Sequence, residues 1–110
     1  MSNIMLKDKV AVITGASQGL GEALAIRLSD EGCKVVVADL NYEGAQKVAS
    51  QLKEAIAVAV DVTKYEDCEA MAKAAVDKYG RIDILVANAA IVMSGDIREF
   101  PAAKFAKVVD

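Results

Sequence analysis

Four short runs of consecutive apolar residues, each followed by a stretch of helical period, constrain this 110-residue chain more than any other feature. The runs are Lys9–Thr14 (KVAVIT), Lys34–Asp39 (KVVVAD), Ala55–Asp61 (AIAVAVD) and Ile82–Ala87 (IDILVA). A strand open to water on one face alternates apolar and polar residues. These do not, so each is expected to be a strand covered on both faces. Such strands alternating with helices build βαβ units and a parallel sheet.

The segments between the runs have the required period. The first helix is expected from about Gly19 to Glu31, with Leu20, Ala23, Leu24 and Leu28 on one face and Gly32 at its C-terminal end. The second starts near Asn41 and carries Ala45, Val48, Ala49 and Leu52 at helical spacing. The third opens on Thr63-Lys64-Tyr65-Glu66, the pattern of a capping box between Thr63 and Glu66. Its apolar stripe is Cys68, Met71, Ala72, Ala75, Val76 and Tyr79, and Gly80 ends it. Pro101 suits the first turn of a last helix, which runs on to Asp110. With right-handed crossovers the fold class is α/β, a doubly wound parallel sheet in the order 3-2-1-4.

Composition narrows the function classes. Hydrophobic residues make up 55% of the chain, enough for a core, and the length allows one domain, residues 1–110. A net charge of −3 argues against nucleic-acid and anionic-membrane partners. With no His, imidazole zinc sites and His-dependent triads are excluded, and no metal site is expected. Cys33 and Cys68 form neither a disulfide framework nor a CxxC motif, and read as buried, reduced thiols. The N-terminus lacks the apolar stretch of a signal peptide, and the apolar runs fall far short of the ~20 residues of a membrane span. A cytoplasmic protein is expected.

The first strand runs directly into Thr14-Gly15-Ala16-Ser17-Gln18-Gly19-Leu20-Gly21 and then a helix. Gly15 permits a tight turn, Gly19 lets a pyrophosphate approach the backbone, and Gly21 lets helix and strand pack closely. Free N–H groups and the positive end of the helix dipole would face the phosphates, with Ser17 and Gln18 adding side-chain donors. The plainer alternative is three glycines that merely make a turn. Asp39, at the end of the second strand, weighs against it, because a carboxylate there can accept from both hydroxyls of an adenosine ribose. It would also repel a 2′-phosphate: two unit charges ~4 Å apart interact by roughly 4 kcal/mol at an effective dielectric of about 20. Position 18 is Gln and position 40 is Leu, so no neighbouring cation offsets that repulsion and NAD is favoured over NADP.

Asp61 ends the third strand and is followed by Val62. Its carboxylate is expected to accept from an adenine amino group, a role compatible with the competing one at a helix N-terminus just beyond. The fourth strand ends in Ala87-Asn88-Ala89-Ala90, small residues against which a ribose or nicotinamide could lie. Asn88 alternatively ties the fourth strand to the third.

These residues resemble the short-chain dehydrogenases/reductases, whose fold is of the Rossmann type. The Thr-Gly-x-x-x-Gly-x-Gly spacing of Thr14 to Gly21 is similar to that family's cofactor turn, and Asp39, Asp61-Val62 and Ile84–Ala89 fall where its pattern has them. The resemblance implies a cofactor site of Gly15, Ser17, Gln18, Gly19, Leu20, Gly21, Asp39, Leu40, Asp61, Val62, Asn88, Ala89 and Ala90. It further implies hydride transfer between NAD and a secondary alcohol, with polyols favoured, and a homo-oligomeric parent enzyme. One departure is Ala87-Asn88-Ala89-Ala90 where the family reads Asn-Asn-Ala-Gly.

The family's Tyr-x-x-x-Lys pair has no counterpart, since Tyr42, Tyr65 and Tyr79 are followed four residues later by Gln46, Glu69 and Asp83. Ser94 comes too early to match the family's Ser. No catalytic residue is therefore assigned within the chain, and the resemblance puts the catalytic residues beyond Asp110. The chain is expected to be the N-terminal part of a longer domain, inactive by itself, with the fourth strand left as an open edge. Alternatives are an NAD-binding or assembly module complete at this length, an NADPH-linked oxoacyl reductase fragment, or a methyltransferase, which the glycine spacing disfavours.

Overall fold

In the computed structural model, residues 6–87 and 90–93 are described. The chain runs β1 (Val10–Thr14), α1 (Gly19–Asp30), β2 (Lys34–Asp39), α2 (Tyr42–Ser50), β3 (Ala55–Ala59), α3 (Tyr65–Tyr79), β4 (Ile84–Ala87) and β5 (Ala90–Met93). The sheet order is β3-β2-β1-β4-β5. The first four of these strands are parallel, with Val12 facing Val36 in β2 and Leu85 in β4.

The continuous apolar runs have the double cover expected of them. Val12, Val36, Ala38, Leu85 and Ala87 pack with Cys68, Met71 and Ala75 of α3. The alternating set, Ala11, Ile13, Val35, Val37, Ile84 and Val86, packs with Ala25 of α1 and Ala45 and Val48 of α2. One sheet face thus carries α1 and α2, and the other carries α3. Fully burying a Val or Ile side chain contributes about 1.5–3 kcal/mol, so the period of two through β1, β2 and β4 locks the register. Cys33 and Cys68 are both buried free thiols.

Three local expectations are corrected. β4 does not end the sheet, because β5 pairs with it antiparallel, Ala87 opposite Ala90 and Ile84 opposite Met93. The backbone groups of β4 that were expected to lie bare are satisfied by that pairing. Second, no Thr63–Glu66 capping box forms: the cap of α3 is Lys64, with no side-chain cap. Thr63 instead donates its N–H and its hydroxyl to Asp61 Oδ1, at 3.0 and 2.6 Å. Third, β3 stops at Ala59, two residues before Asp61. Ser94 and the helix expected from Pro101 to Asp110 lie outside the described residues.

A buried carboxylate joins β1 to the segment leading into β4. Asp83 Oδ2 accepts the Val10 N–H at 2.9 Å. Its Oδ1 pairs with the Arg81 guanidinium, the Nε contact being 2.8 Å.

Candidate functional site: a glycine turn beside a strand-end carboxylate

At the C-terminal ends of β1, β2 and β3 the chain leaves the sheet in three loops, the place where open α/β sheets hold ligands. The first loop is anchored to its neighbours before it turns. Ala16 N–H donates to the Ala38 carbonyl at 3.2 Å, and Thr14 Oγ1 donates to the Val86 carbonyl at 3.4 Å. β2 and β4 thereby both hold the start of the turn.

Two of its glycines have separate physical reasons. A Cβ on Gly21 would sit 2.2 Å from the Gly15 carbonyl oxygen, so α1 closes on the turn only because that atom is missing. Gly19 has a φ of +60°, and a Cβ there would meet nothing within 4 Å. The backbone at Gly19 therefore faces open space in a conformation that other residues rarely adopt. Gln18 is the N-cap of α1 and its side chain caps nothing, which leaves the first amides of the helix without a side-chain acceptor. Such a surface fits an anionic group: amide donors, the helix dipole and no intervening side chain.

Asp39 borders this turn. Its Oδ2 accepts the Ser17 N–H at 3.0 Å, and its Oδ1 accepts the Asn41 N–H at 2.9 Å. Partial burial pushes its pKa up, but donation from the Asn41 and Ser17 amides and from the Ser17 hydroxyl outweighs that and holds it below the usual carboxylate value. The group is thus held ionised, one amide on each oxygen. A carboxylate has about four lone-pair sites, so the two amides do not by themselves saturate it. Leu20 and Leu40 lie beside these polar groups and are 72% and 74% exposed.

Asp61 sits beyond β3. Its pKa is lowered, first by the Thr63 hydroxyl and then by the Thr63 amide. Its own N–H donates to Asp67 Oδ2 at 2.9 Å. Val62, next in the chain, is half-buried against the α3 side of the core.

Of the residues expected at a cofactor site, the turn from Gly15 to Gly21, Asp39 and Leu40 are brought together by adjoining elements. Asp61 and Val62 stand one strand further out. Ala90 opens β5, while Asn88 and Ala89 lie outside the described residues. Sequence reasoning missed Asn41 and Gly44. Asn41 Oδ1 accepts the Gly44 N–H at 3.1 Å as the cap of α2, a role its residue type and position signal, whereas its grip on Asp39 has no sequence signature. The tyrosines stand apart from this chemistry. Tyr42 and Tyr65 are exposed, and Tyr79 OH donates to Glu54 Oε2 at 3.0 Å.

The profile of the short chain dehydrogenases matches residues 9–110. The chain belongs to that family. An uncharacterized oxidoreductase of Staphylococcus aureus is 39% identical over 108 residues, covering 96% of this chain and 47% of its own length. Bacillus subtilis YuxG, also an uncharacterized oxidoreductase, is 45% identical over 97 residues, covering 83% of this chain and 14% of its own. The chain thus spans about half the length, or less, of these relatives.

Among crystal structures, a 3-ketoacyl-(acyl-carrier-protein) reductase from Brucella melitensis complexed with NADH is 46% identical with a TM-score of 0.71. That match covers 73% of this chain and 34% of the reductase. A short-chain dehydrogenase/reductase from Burkholderia phymatum in complex with NAD is 34% identical, also with a TM-score of 0.71, over 73% of this chain and 30% of that one.

Proposed function

We propose that this chain binds NAD(H) and forms the cofactor-binding part of an oxidoreductase that transfers hydride between a secondary alcohol and NAD. The observation that carries the reading is the glycine turn opening onto α1 with the ionised Asp39 against it. In this reading Gly15, Ser17, Gln18, Gly19, Leu20 and Gly21 hold the pyrophosphate through amides. Asp39 accepts from the adenosine ribose, and Leu40, Asp61 and Val62 border the adenine. Asn88, Ala89 and Ala90 support the nicotinamide side. When bound, the nicotinamide supplies hydride acceptance, the alcohol carbon giving up the hydride and its hydroxyl a proton. The groups that take that proton we place beyond Asp110, in the part of the relatives' length that this chain does not span.

NAD rather than NADP follows from charge. Repulsion between Asp39 and a 2′-phosphate needs to reach only ~1.4 kcal/mol for a tenfold difference in affinity. Titration of the purified chain with NADH and with NADPH, followed by calorimetry, tests this. NADH binding at least about tenfold tighter is expected. Equal affinities would overturn the choice of cofactor, and no binding of either would overturn the site.

Polyols are our favoured substrate class. A keto-acyl substrate is the second reading, favoured by the 46% identity to the Brucella reductase. The stretch shared with that reductase is only a third of its length, so it carries little weight on the choice of substrate. Comparing NADH formation from sugar alcohols with NADH consumption by keto-acyl thioesters, in a protein carrying this chain at full relative length, separates the two. We place the whole protein in the cytoplasm as a homo-oligomer without nucleic-acid or membrane partners. The net charge of −3 on this chain supports the absence of nucleic-acid and anionic-membrane partners, and its buried, unpaired thiols support the compartment. No described helix is long and apolar enough to cross a membrane.

A further inference from the structure

We propose that Gly44, on the first turn of α2, is a positioning residue for ribose recognition: its missing side chain lets α2 seat against Ser17, and Ser17 and Asn41 together aim the Asp39 carboxylate. The inference rests on the dinucleotide reading above and deepens it.

Three contacts carry it. A Cβ built on Gly44 would lie 2.8 Å from Ser17 Cβ and 2.7 Å from Asn41 Nδ2. The amides of those same two residues are the donors to Asp39, at 3.0 and 2.9 Å on its two oxygens. Asn41 in turn is bound to Gly44 itself through the cap at 3.1 Å. Asn41 Nδ2 is the end of a flexible side chain and can move aside. Ser17 Cβ is one bond from the backbone, so it yields only if the Ser17 amide moves with it. Displacing that amide frees Asp39 Oδ2 from the turn, and the carboxylate then has one fixed oxygen instead of two.

The residue type agrees with this use. Glycine is the poorest helix former after proline, and Gly44 lies inside the nine-residue α2. A helix of that length gains nothing locally from a glycine on its first turn. The gain is the approach of Ser17, 27 positions away in the chain, which no local pattern in the sequence reveals.

A positioned carboxylate and a loosely held one differ most in discrimination. Both attract a ribose diol, but only the fixed one keeps its charge where a 2′-phosphate would lie. The test is the ratio of NADH to NADPH affinity, measured by calorimetry on the native chain, on Gly44→Ala, and on the double variant Gly44→Ala/Ser17→Gly. The double variant removes the Ser17 Cβ, and its hydroxyl with it, while keeping the amide that donates to Asp39, so Ser17→Gly alone is measured beside it as its reference.

Gly44→Ala is expected to lower the ratio about fivefold to tenfold in the native background and to leave it nearly unchanged in the Ser17→Gly background, as for directly coupled neighbours. A ratio unchanged in Gly44→Ala, with the native chain preferring NADH, would overturn the role of Gly44 and leave the dinucleotide reading standing. A native chain that binds neither dinucleotide would overturn both. If circular dichroism shows Gly44→Ala unfolded, the double variant must fold and match the ratio of Ser17→Gly alone, and its failure to do so also overturns the proposal.

Discussion

Asp39 accepts one amide on each carboxylate oxygen, and this arrangement makes its charge robust. A carboxylate whose folded pKa is depressed adds stability above its unfolded pKa of about 3.9, and that stability is lost as pH falls through the lower folded value. Asp39 is therefore ionised throughout the neutral range, so any change in the preference for NADH between about pH 5 and about pH 8 should follow the second ionisation of the 2′-phosphate, at about pH 6, and not Asp39. Asp39→Ala is expected to bring the NADH and NADPH affinities to within about threefold of each other, since it removes both the ribose acceptor and the repelling charge. Competitive titration with the two dinucleotides checks this, and a ratio as large as the native one would remove the role given to Asp39. The glycines of the turn act by different means. Gly21→Ala drives a methyl into the Gly15 carbonyl and should cost about 1–3 kcal/mol in chemical denaturation, as overpacking does.

Among the elements, β1 and the approach to β4 are joined by Asp83, a charge inside an otherwise apolar run. Asp83→Ala would leave the buried Val10 N–H without its acceptor and Arg81 without its partner. A loss of about 2–3 kcal/mol is expected, while Asp83→Asn, which keeps an acceptor for Val10, should lose less. Urea denaturation of the two variants measures the difference, and equal losses would show that the Val10 hydrogen bond is not what matters there. The same scale shows what could be read in advance. The strands β1, β2 and β4 were legible because residues such as Val12 and Ile13 face opposite helices and must both be apolar. The turn was legible because a positive φ at Gly19 and a close approach at Gly21 leave glycine as the fitting residue at each. The start of α3 was misread, because Asp61 competes for Thr63 with the backbone donors that a capping box would use. β5 was missed, since an edge pairing depends on what else is available to β4. The contact between Gly44 and Ser17 was hidden for the same reason: its partners are joined by the fold alone.

Across the whole molecule, the two ends of the sheet have different chemistry. The turn, Asp39 and Asp61 gather at the C-terminal end. At the other end, Tyr79 closes α3 against Glu54, with Lys34 Nζ 5.8 Å from its ring centroid. Burial, and then the Glu54 carboxylate, push the Tyr79 phenol well above its usual value. A raised folded pKa contributes stability that is present below the unfolded value of about 10 and is lost as pH rises beyond it. Thermal unfolding followed from pH 8 to 11 should therefore show a falling alkaline limb, and Tyr79→Phe should flatten it. An identical limb in the variant would assign the loss elsewhere.

The parallel ladder through β1, β2 and β3 has one more consequence. Neighbouring strands are held about 4.8 Å apart by their hydrogen bonds, so the loops after β1 and β3 are separated by roughly 10 Å of unyielding backbone. Anything that engages the glycine turn, Asp39 and Asp61 together must carry its own polar groups at matching intervals. The sheet is in that sense a ruler: it measures the length of its ligand before any side chain inspects its chemistry.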